Sequence, residues 1–514
     1  MRTRLALLAA ALAAFGGSLA SGFHFDDYAI FQGAALHSPL WSLQQTRPLT
    51  YLTFWLNYQA GGQNPLGYHA VNLALHLAAV WLLYEALRRL VQPEAAFIAA
   101  AIFAVHPIQA EAVDYIWGRS IVLAAVFCFA SLLEWTRGRS WIAVAWFAGA
   151  LLAKEEVAAF PVALIVGRAM LPAAAFQAAR RLKAGGSQDW LPHTVMLVLS
   201  LLAGARVIYA TAVTPGAPAG IQAGISPLHY FLAQGPVIWR YLRLLVVPIG
   251  FSVDPEIQIP PMWLGIASWL ALALAACAVG ARRWQPAGWL LIGLILLLPS
   301  SSIFPAQDLA ADRRMYLPLA AFATAFALLP ISLFRAKSDR NGGGESSSDS
   351  GDRRAGPGGP ARTWGSALLA AGIGILTGLS MLRTYTWQSD ERLWREAVLH
   401  APNKIRPKIQ LSRSVPATEA LKLLSEARQL APGDPAIATE TGKVLMAQGN
   451  GAAALSEFGR ALALDPRDAH NYNNRGVALQ SLGLKEAARQ DYARALAIDP
   501  GLMEARRNLR SLEP

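Results

Sequence analysis

Residues 69–89, HAVNLALHLAAVWLLYEALRR, decide the fold class, because an almost uncharged apolar run ends at two arginines. A helix that crosses a bilayer needs about 20 predominantly apolar residues, and cytoplasmic loops carry an excess of Lys and Arg. Arg88 and Arg89 therefore predict that this end of the segment is cytoplasmic. Within the run, His69, Asn72 and His76 fall on one helical face, a pattern typical of hydrogen bonds between neighbouring membrane helices.

Similar apolar runs recur along the chain, separated by short loops rich in arginine. The candidate crossings are 5–21, 69–87, 95–107, 120–136, 141–153, 157–171, 195–212, 262–281, 287–304, 315–334 and 364–382. They predict an all-α, polytopic membrane protein with eleven crossings, a cytoplasmic N-terminus and a C-terminus on the opposite side. The first run is either a cleaved signal peptide or an uncleaved helix, and both alternatives leave residues 26 and 27 outside the cytoplasm.

The composition supports a membrane protein and argues against a nucleic-acid partner. Hydrophobic residues make up 54% and charged residues only 15% of the 514 residues, whereas soluble domains carry about 25% charged residues. The formal charge of +12 is dispersed over the short loops, which indicates contact with anionic membrane lipids. Cys128 and Cys277 lie inside apolar runs, so neither a disulfide framework nor a zinc site is expected.

One further apolar run, 237–248, would reverse the orientation of the later loops if it crossed the membrane. It carries Arg240 and Arg243 three residues apart, on one side of a helix. We therefore interpret this run as a re-entrant or interfacial amphipathic helix on the outer side.

The composition changes twice near the C-terminus. Residues 335–363 are rich in Gly, Ser and charge, which predicts a disordered cytoplasmic linker between the domain 1–334 and a last crossing at 364–382. Beyond residue 401 a period of 34 appears, with small, aromatic and proline positions that repeat. These are Gly442, Gly449, Ala454, Phe458, Ala461 and Pro466, followed by Gly476, Gly483, Ala488, Tyr492, Ala495 and Pro500.

This period is typical of the tetratricopeptide repeat (TPR), a helical hairpin that stacks into a solenoid. Two repeats are predicted at 435–468 and 469–502, and Ala420, Ala427 and Pro432 extend the register into a degenerate repeat at 401–434. We assign residues 383–514 to an extracytoplasmic TPR domain.

Asp26 and Asp27 follow the first apolar run, in FHFDDY at 23–28. Adjacent carboxylates at this position suit the acid/base chemistry of a membrane glycosyltransferase, because transfer to a hydroxyl requires a base against the acceptor. A solvated loop or a helix cap explains the same residues without chemistry.

A second polar segment follows the third crossing, at His106-Pro107 through Gly118-Arg119. Pro107 suits the first turn of a helix, and that helix would carry Glu111, Asp114 or Tyr115, and Gly118 on one face. The alternative is a polar interfacial helix capped by His106.

Two further polar segments interrupt the apolar runs of the membrane domain. Lys154 and Glu155 fall between two apolar runs, where a solvated turn is the alternative, and 308–318 contains Asp312, Arg313 and Tyr316. Arginines outside the cytoplasm run against the usual bias and indicate a fixed anionic partner such as a lipid phosphate. No P-loop or dinucleotide-binding glycine loop occurs in a strand–helix context, so a soluble nucleotide substrate is not expected.

In combination these motifs resemble the transmembrane-and-TPR O-mannosyltransferase family, which is part of the GT-C superfamily of polytopic glycosyltransferases. The resemblance rests on the aspartate pair, His106-Pro107 with Glu111 and Gly118-Arg119, Lys154-Glu155, Asp312-Arg313 with Tyr316-Leu317-Pro318, and Arg383 with Trp387 before the TPRs. It implies a polyprenyl-phosphate sugar donor, typically of mannose, a protein acceptor that the TPRs engage, and a bacterial inner-membrane location. The chain departs from the family in Asp312, where Glu is more usual, in Asp114-Tyr115, and in its small number of TPRs.

The resemblance also implies roles for individual residues. One of Asp26 and Asp27 is the general base, and the other positions it or binds a divalent cation, Mg²⁺ or Mn²⁺, together with Glu111. The candidates for holding the donor phosphate are Arg313, Arg240, Arg243, Arg119 and Lys154, and the remaining site candidates are His106, Glu155, Asp312 and Tyr316. Two alternatives stay open: transfer to a glycan or lipid, and a non-enzymatic TPR scaffold tethered to the membrane for envelope assembly.

Overall fold

The computed structural model describes residues 1–32, 38–40, 45–171, 190–214, 219–220, 223–281, 284–341 and 360–512. In these ranges the regular elements are helices, apart from one isolated β-bridge between Ala219 and Ala306. The chain forms two compact units, Met1–Phe251 with Ile257–Ser389, and Ser252–Glu256 with Asp390–Pro514. The all-α class that the sequence predicted is confirmed.

The first unit contains the apolar helices. Those of eight residues or more are α1 (Arg2–Phe15), α2 (Pro48–Gly61), α3 (Pro65–Leu90), α4 (Pro93–Val105), α5 (Arg119–Thr136), α6 (Ser140–Ala153), α7 (Phe160–Met170), α8 (Leu191–Val213), α9 (Pro227–Val246), α10 (Met262–Ala281), α11 (Gln285–Leu297), α12 (Tyr316–Asn341) and α13 (Pro360–Trp387). Several begin at a proline, which fits the first helical turn because its missing N–H has no partner there. The fully buried Ala95, Ala96, Ala99 and Ala100 of α4 bring neighbouring helices close together.

Six helices among the described residues are long and apolar enough to cross a membrane, which makes the chain a polytopic membrane protein. They are Arg2–Ala20, Pro65–Leu90, Ile116–Thr136, Leu191–Val213, Met262–Ala281 and Ala367–Trp387. A seventh forms if Pro93–Val105 and Pro107–Val113, which meet at a bend of 50°, are counted as one crossing.

The sequence predicted eleven crossings, whereas six or seven helices among the described residues are long enough to cross a membrane. The predicted segments 141–153, 157–171 and 287–304 fall on helices α6, α7 and α11, which have 14, 11 and 13 residues. At 1.5 Å per residue these helices reach about 21 Å or less, short of a hydrocarbon core of about 30 Å. The remaining predicted segment, 315–334, coincides with the first part of α12.

The predicted linker at 335–363 is shorter in the structure. Helix α12 continues to Asn341 and α13 begins at Pro360, so both ends of the predicted linker are helical. The rest of the predicted disordered segment, 342–359, lies outside the described residues. Helix α13 also extends past the predicted boundary at 382, because Thr384 and the fully buried Trp387 continue its packing against the first unit.

The second unit is a series of antiparallel helix pairs. Its helices are α14 (Asp390–His400), α15 (Ile405–Ser412), α16 (Ala417–Leu430), α17 (Pro435–Ala447), α18 (Gly451–Leu464), α19 (Ala469–Ser481), α20 (Lys485–Ile498) and α21 (Met503–Arg510). A Cβ on Gly442 would lie 2.6 Å from the ring of Phe458, and one on Gly476 would lie 2.5 Å from Tyr492. Gly449 and Gly483, with φ of 77° and 78°, follow the first helix of each pair. These contacts explain the small and aromatic positions of the 34-residue period and confirm the TPR fold.

Candidate active site

The two aspartates after α1 have different environments. They lie in a short 3₁₀ turn, Phe25–Tyr28, in which Asp27 is fully buried and Asp26 is exposed. The carboxylate of Asp27 accepts the backbone N–H of His24 at 3.0 Å and the backbone N–H of Trp117 at 2.9 Å. Burial raises the pKa of Asp27 to about 7, against the opposing effect of these N–H donors. Asp27 therefore holds the loop to residue 117, whereas Asp26 faces the solvent.

Asp26 rests on an aromatic cluster. The hydroxyl of Tyr115 donates to Oδ2 of Asp26 at 3.1 Å. The Tyr115 ring is buried between Phe25, with centroids 4.7 Å apart, and Trp387 of α13, with centroids 5.7 Å apart. The exposed carboxylate is thus supported by side chains from three separate parts of the first unit.

The segment 106–119 between α4 and α5 carries the second part of the site. The structure corrects the prediction of one continuous helix, because the segment forms three short turns, Pro107–Gln109, Ala110–Val113 and Ile116–Gly118. A Cβ on Gly118 would lie 2.7 Å from the carbonyl oxygen of Ala112, so the segment folds tightly back on itself. Nδ1 of His106 accepts the N–H of Ile108 at 3.2 Å, so His106 caps the first of these turns.

Glu111 joins this segment to the residues before α12. Its carboxylate forms an ion pair with the guanidinium of Arg313 and also accepts the backbone N–H of Arg313 at 3.2 Å. Asp308 lies 3.5 Å from the same guanidinium. The Arg313 side chain keeps 26% of its surface exposed, whereas the Glu111 side chain keeps 3%. Glu111 therefore orients an arginine that remains accessible to a ligand.

Helix α9 contributes two arginines with different roles. Arg240 forms an ion pair with the buried Asp312 at 2.6 Å, and its Nη2 is buried without a hydrogen-bond partner among the described residues. Arg243 is exposed and makes only a long contact, 3.5 Å, with the carbonyl oxygen of Ile249. The Arg240 side chain keeps 13% of its surface exposed, so Arg243 is the more accessible of the two arginines.

Residues 154–156 form ion pairs instead of a solvated turn. Lys154 is buried and lies 3.1 Å from Glu156, and Glu155 accepts two hydrogen bonds from Arg47, at 2.6 and 3.0 Å. Burial lowers the pKa of Lys154 to about 8. Burial alone would raise the pKa of Glu155, but the charge of Arg47 lowers it to about 2. The Lys154 ammonium is only 4% exposed at the side chain, so the structure does not support its predicted contact with a phosphate.

Arg119 and Tyr316, two further site candidates, are both buried in the structure. Arg119 is fully buried, and its guanidinium donates to Asn72, Thr53 and Asn57 and to the carbonyl oxygen of Tyr68. This network occupies the donors that a phosphate would need. The hydroxyl of the buried Tyr316 lies 2.7 Å from Nδ1 of His76.

The polar stripe on α3 links helices, as the sequence predicted. His69 lies 3.0 Å from the carbonyl oxygen of Gly22, Asn72 donates to the carbonyl oxygen of Tyr115 at 3.0 Å, and His76 contacts the carbonyl oxygen of Ala104 at 3.1 Å. These bonds fix the aspartate loop and the segment 106–119 to the same helix.

The carboxylates are not arranged to bind the cation that Glu111 was predicted to share with Asp26 or Asp27. Both oxygens of Glu111 accept hydrogen bonds from Arg313. Both oxygens of Asp27 accept backbone N–H groups. In the ranges that the structure describes, no group of three His, Cys, Asp or Glu side chains has the arrangement of metal ligands.

Two contacts of this site could not be found by sequence reasoning. Tyr115 is 89 residues from Asp26, and Arg47 is 108 residues from Glu155. The sequence predicted Tyr115 on a polar helical face, without a link to Asp26. Neither contact can be predicted from the local spacing of residues, because each is formed by the packing of segments that are distant in the sequence.

The fold and the site thus define a polytopic membrane protein with a TPR unit and a carboxylate–arginine site beside its first loop. Mouse protein O-mannosyl-transferase TMTC3 is 36% identical over 146 residues, which cover 25% of this chain and 16% of the mouse protein. Human protein O-mannosyl-transferase TMTC4 is 26% identical over 448 residues, which cover 72% of this chain and 55% of the human protein. The chain is a relative of these TMTC proteins, and it spans about half of their length or less.

No protein-family model matches the chain. An oligosaccharyltransferase of Archaeoglobus fulgidus covers 75% of this chain and 51% of its own with 15% identity, but its TM-score is 0.28.

Proposed function

We propose that this protein is a membrane glycosyltransferase that transfers a sugar from a polyprenyl-phosphate donor to a hydroxyl group on an extracytoplasmic protein. The observation that carries the proposal is the exposed carboxylate of Asp26, which accepts a hydrogen bond from Tyr115. Tyr115 lies four residues from Glu111, and Glu111 pairs with the partly exposed Arg313. One short segment thereby holds both a candidate base and a candidate cation.

In the proposed reaction the acceptor hydroxyl oxygen attacks C1 of the sugar while Asp26 takes its proton. The bond between C1 and the phosphate oxygen breaks, and polyprenyl phosphate leaves with the bonding electron pair. The arginines supply positive charge against the leaving phosphate, since charge-assisted contacts to phosphate are about twice as strong as neutral hydrogen bonds. Arg313 has the accessible guanidinium for this contact, and the exposed Arg243 is the second candidate.

Asp27 has a supporting role in the proposal. A general base must reach the proton that it removes, and the buried Asp27 has both oxygens engaged by backbone N–H groups. Of the two adjacent aspartates, Asp26 is therefore the base and Asp27 holds its loop. No step requires a metal ion, and the predicted Mg²⁺ or Mn²⁺ is not part of the proposal.

The names of the relatives support mannose as the sugar and a protein as the acceptor, because TMTC3 and TMTC4 are called protein O-mannosyl-transferases. The TPR unit is proposed to engage the acceptor protein, and the protein is proposed to reside in a bacterial inner membrane. The second candidate function is a membrane-tethered TPR scaffold, which has no need of an accessible carboxylate beside paired arginines.

A transfer assay with several lipid-linked donors tests the proposal. Purified protein in detergent is incubated with radiolabelled polyprenyl-phosphate mannose or polyprenyl-phosphate glucose, and with a periplasmic extract. We expect label from at least one donor in the protease-sensitive fraction. Label in a lipid or glycan fraction would identify a lipid or a glycan, instead of a protein, as the acceptor. Absence of transfer from either donor would favour the scaffold.

A further inference from the structure

Tyr115 connects the exposed aspartate to the buried framework of the first unit. Its hydroxyl donates to Oδ2 of Asp26 at 3.1 Å, and the residue is 1% exposed. Its ring is stacked on Trp387 at an interplanar angle of 29° and packs against Phe25 at 36°. The hydroxyl thus has a fixed position, because the ring cannot rotate away without breaking two aromatic contacts.

The backbone around Tyr115 is held just as firmly. Its carbonyl oxygen accepts from Nδ2 of Asn72 at 3.0 Å, and Oδ1 of Asn72 accepts from Nε of Arg119 at 2.7 Å. Two residues further on, the N–H of Trp117 donates to Asp27. Residues 115–117 therefore bind both members of the aspartate pair, one through a side chain and the other through the backbone.

We infer that Tyr115 is a positioning residue that fixes the carboxylate of Asp26; this inference rests on the proposed role of Asp26 as the base. The hydrogen bond from Tyr115 occupies Oδ2 of Asp26, so that Oδ1 is left to receive the acceptor proton. Burial, together with the two aspartates, raises the pKa of Tyr115, so the phenol retains the proton that it donates.

The variant that tests the inference is Tyr115→Phe, which removes the hydroxyl and retains both aromatic contacts. We expect kcat to fall about 10- to 100-fold with little change in KM for the donor, because a hydrogen bond to a charged group is lost. Tyr68→Phe is the matched control, because it removes a buried phenol that donates to the carbonyl oxygen of Gly62 at 3.0 Å.

A second measurement does not depend on turnover. Infrared spectra of wild type minus Asp26→Asn isolate the carboxylate band of Asp26, and the same difference is taken in the Tyr115→Phe background. Loss of the hydrogen bond should shift the band, and incorporation of 3-fluorotyrosine at 115, which strengthens the donor, should shift it in the opposite direction.

These readouts separate the inference from the proposed function. If wild type transfers sugar but Tyr115→Phe changes neither kcat nor the position of the Asp26 band, the inference is overturned and the function stands. If wild type transfers no sugar but the band moves in Tyr115→Phe, the function is overturned and the coupling of Tyr115 to Asp26 stands. A shift of the same size in Tyr68→Phe would also overturn the inference, since it would reflect a general effect of removing buried hydroxyls.

Discussion

At the residue scale, adjacent aspartates with opposite exposure should respond differently to the same substitution. Asp26→Asn removes the proposed base, so transfer should fall about 10²- to 10⁴-fold with unchanged thermal stability. Glu94 is exposed at the start of α4, and Glu94→Gln is the control because it also replaces one carboxylate by an amide. Steady-state transfer rates and thermal unfolding in detergent check both expectations. Near wild-type turnover in Asp26→Asn would place the base at another residue.

Asp27 should instead affect the pH dependence of stability. Its folded pKa of about 7 lies above the ordinary 3.8, so the unfolded chain binds fewer protons than the folded chain between pH 4 and 7. Stability therefore falls as pH rises through this window, by up to about 1.4 kcal/mol per pH unit, and the loss is complete above pH 7. Asp27→Asn removes this contribution. The unfolding temperature of wild type, relative to that of the variant, should decrease from pH 4 to pH 7, and a constant difference would contradict the account.

Arg313 is proposed to contact the donor phosphate, whereas Arg119 supports the fold. Arg313→Ala is made in a Glu111→Gln background, because the buried carboxylate of Glu111 would otherwise lose its partner. The loss of the guanidinium should raise KM for the donor about tenfold or more, since a charge-assisted phosphate contact is removed. Arg119→Met should instead lower the free energy of unfolding by about 3 kcal/mol or more, because several buried polar groups lose their partner. Donor titrations and thermal unfolding separate the two, and a destabilised Arg313→Ala with unchanged KM would exclude the phosphate contact.

The sequence predicted only part of the candidate site. The charged motifs contain residues that the structure connects through one short segment, since Tyr115 bonds to Asp26 and Glu111 pairs with Arg313. Sequence spacing could not show which member of a pair is buried, as Asp26 and Asp27 demonstrate. It also could not separate Arg119 from Arg313, because their exposure depends on partners 47 to 202 residues away.

At the scale of elements, the TPR pattern makes a sharp prediction about two glycines of one helix pair. Gly442→Ala would place a methyl group 2.6 Å from the ring of Phe458, whereas Gly459 has no atom within 4 Å of an added Cβ. Gly442→Ala should destabilise the second unit by about 1 to 3 kcal/mol. Gly459→Ala should stabilise it by about 0.5 to 1 kcal/mol, because alanine is the better helix former. Thermal unfolding followed by circular dichroism measures both, and equal effects would contradict the packing.

Elements were predicted well where a strong period was present. The 34-residue period specified the helix pairs and their glycines, and apolar runs specified the long membrane helices. The segment 106–119 was predicted as one helix but forms three short turns, because tight packing of Gly118 on Ala112 overrides local helical preference. The short helices α6, α7 and α11 show that an apolar run alone does not establish a crossing.

At the scale of the whole molecule, the predicted orientation can be tested independently of the site. Single cysteines are introduced by Glu345→Cys, in the segment predicted to be a cytoplasmic linker, and by Asn450→Cys, between α17 and α18. The background carries Cys277→Ser, because Cys277 is exposed and Cys128 is buried. In intact spheroplasts, a membrane-impermeant maleimide should label position 450 and not 345. The opposite pattern would place the aspartates in the cytoplasm.

The central claim is that Asp26 supports sugar transfer from a polyprenyl-phosphate donor to protein. The most direct measurement follows label from radiolabelled polyprenyl-phosphate mannose into acid-precipitated protein, with wild type and Asp26→Asn side by side. We predict that wild type labels protein and that Asp26→Asn labels it at least about 100-fold more slowly. Absence of label with wild type, or equal labelling by both proteins, would contradict the account.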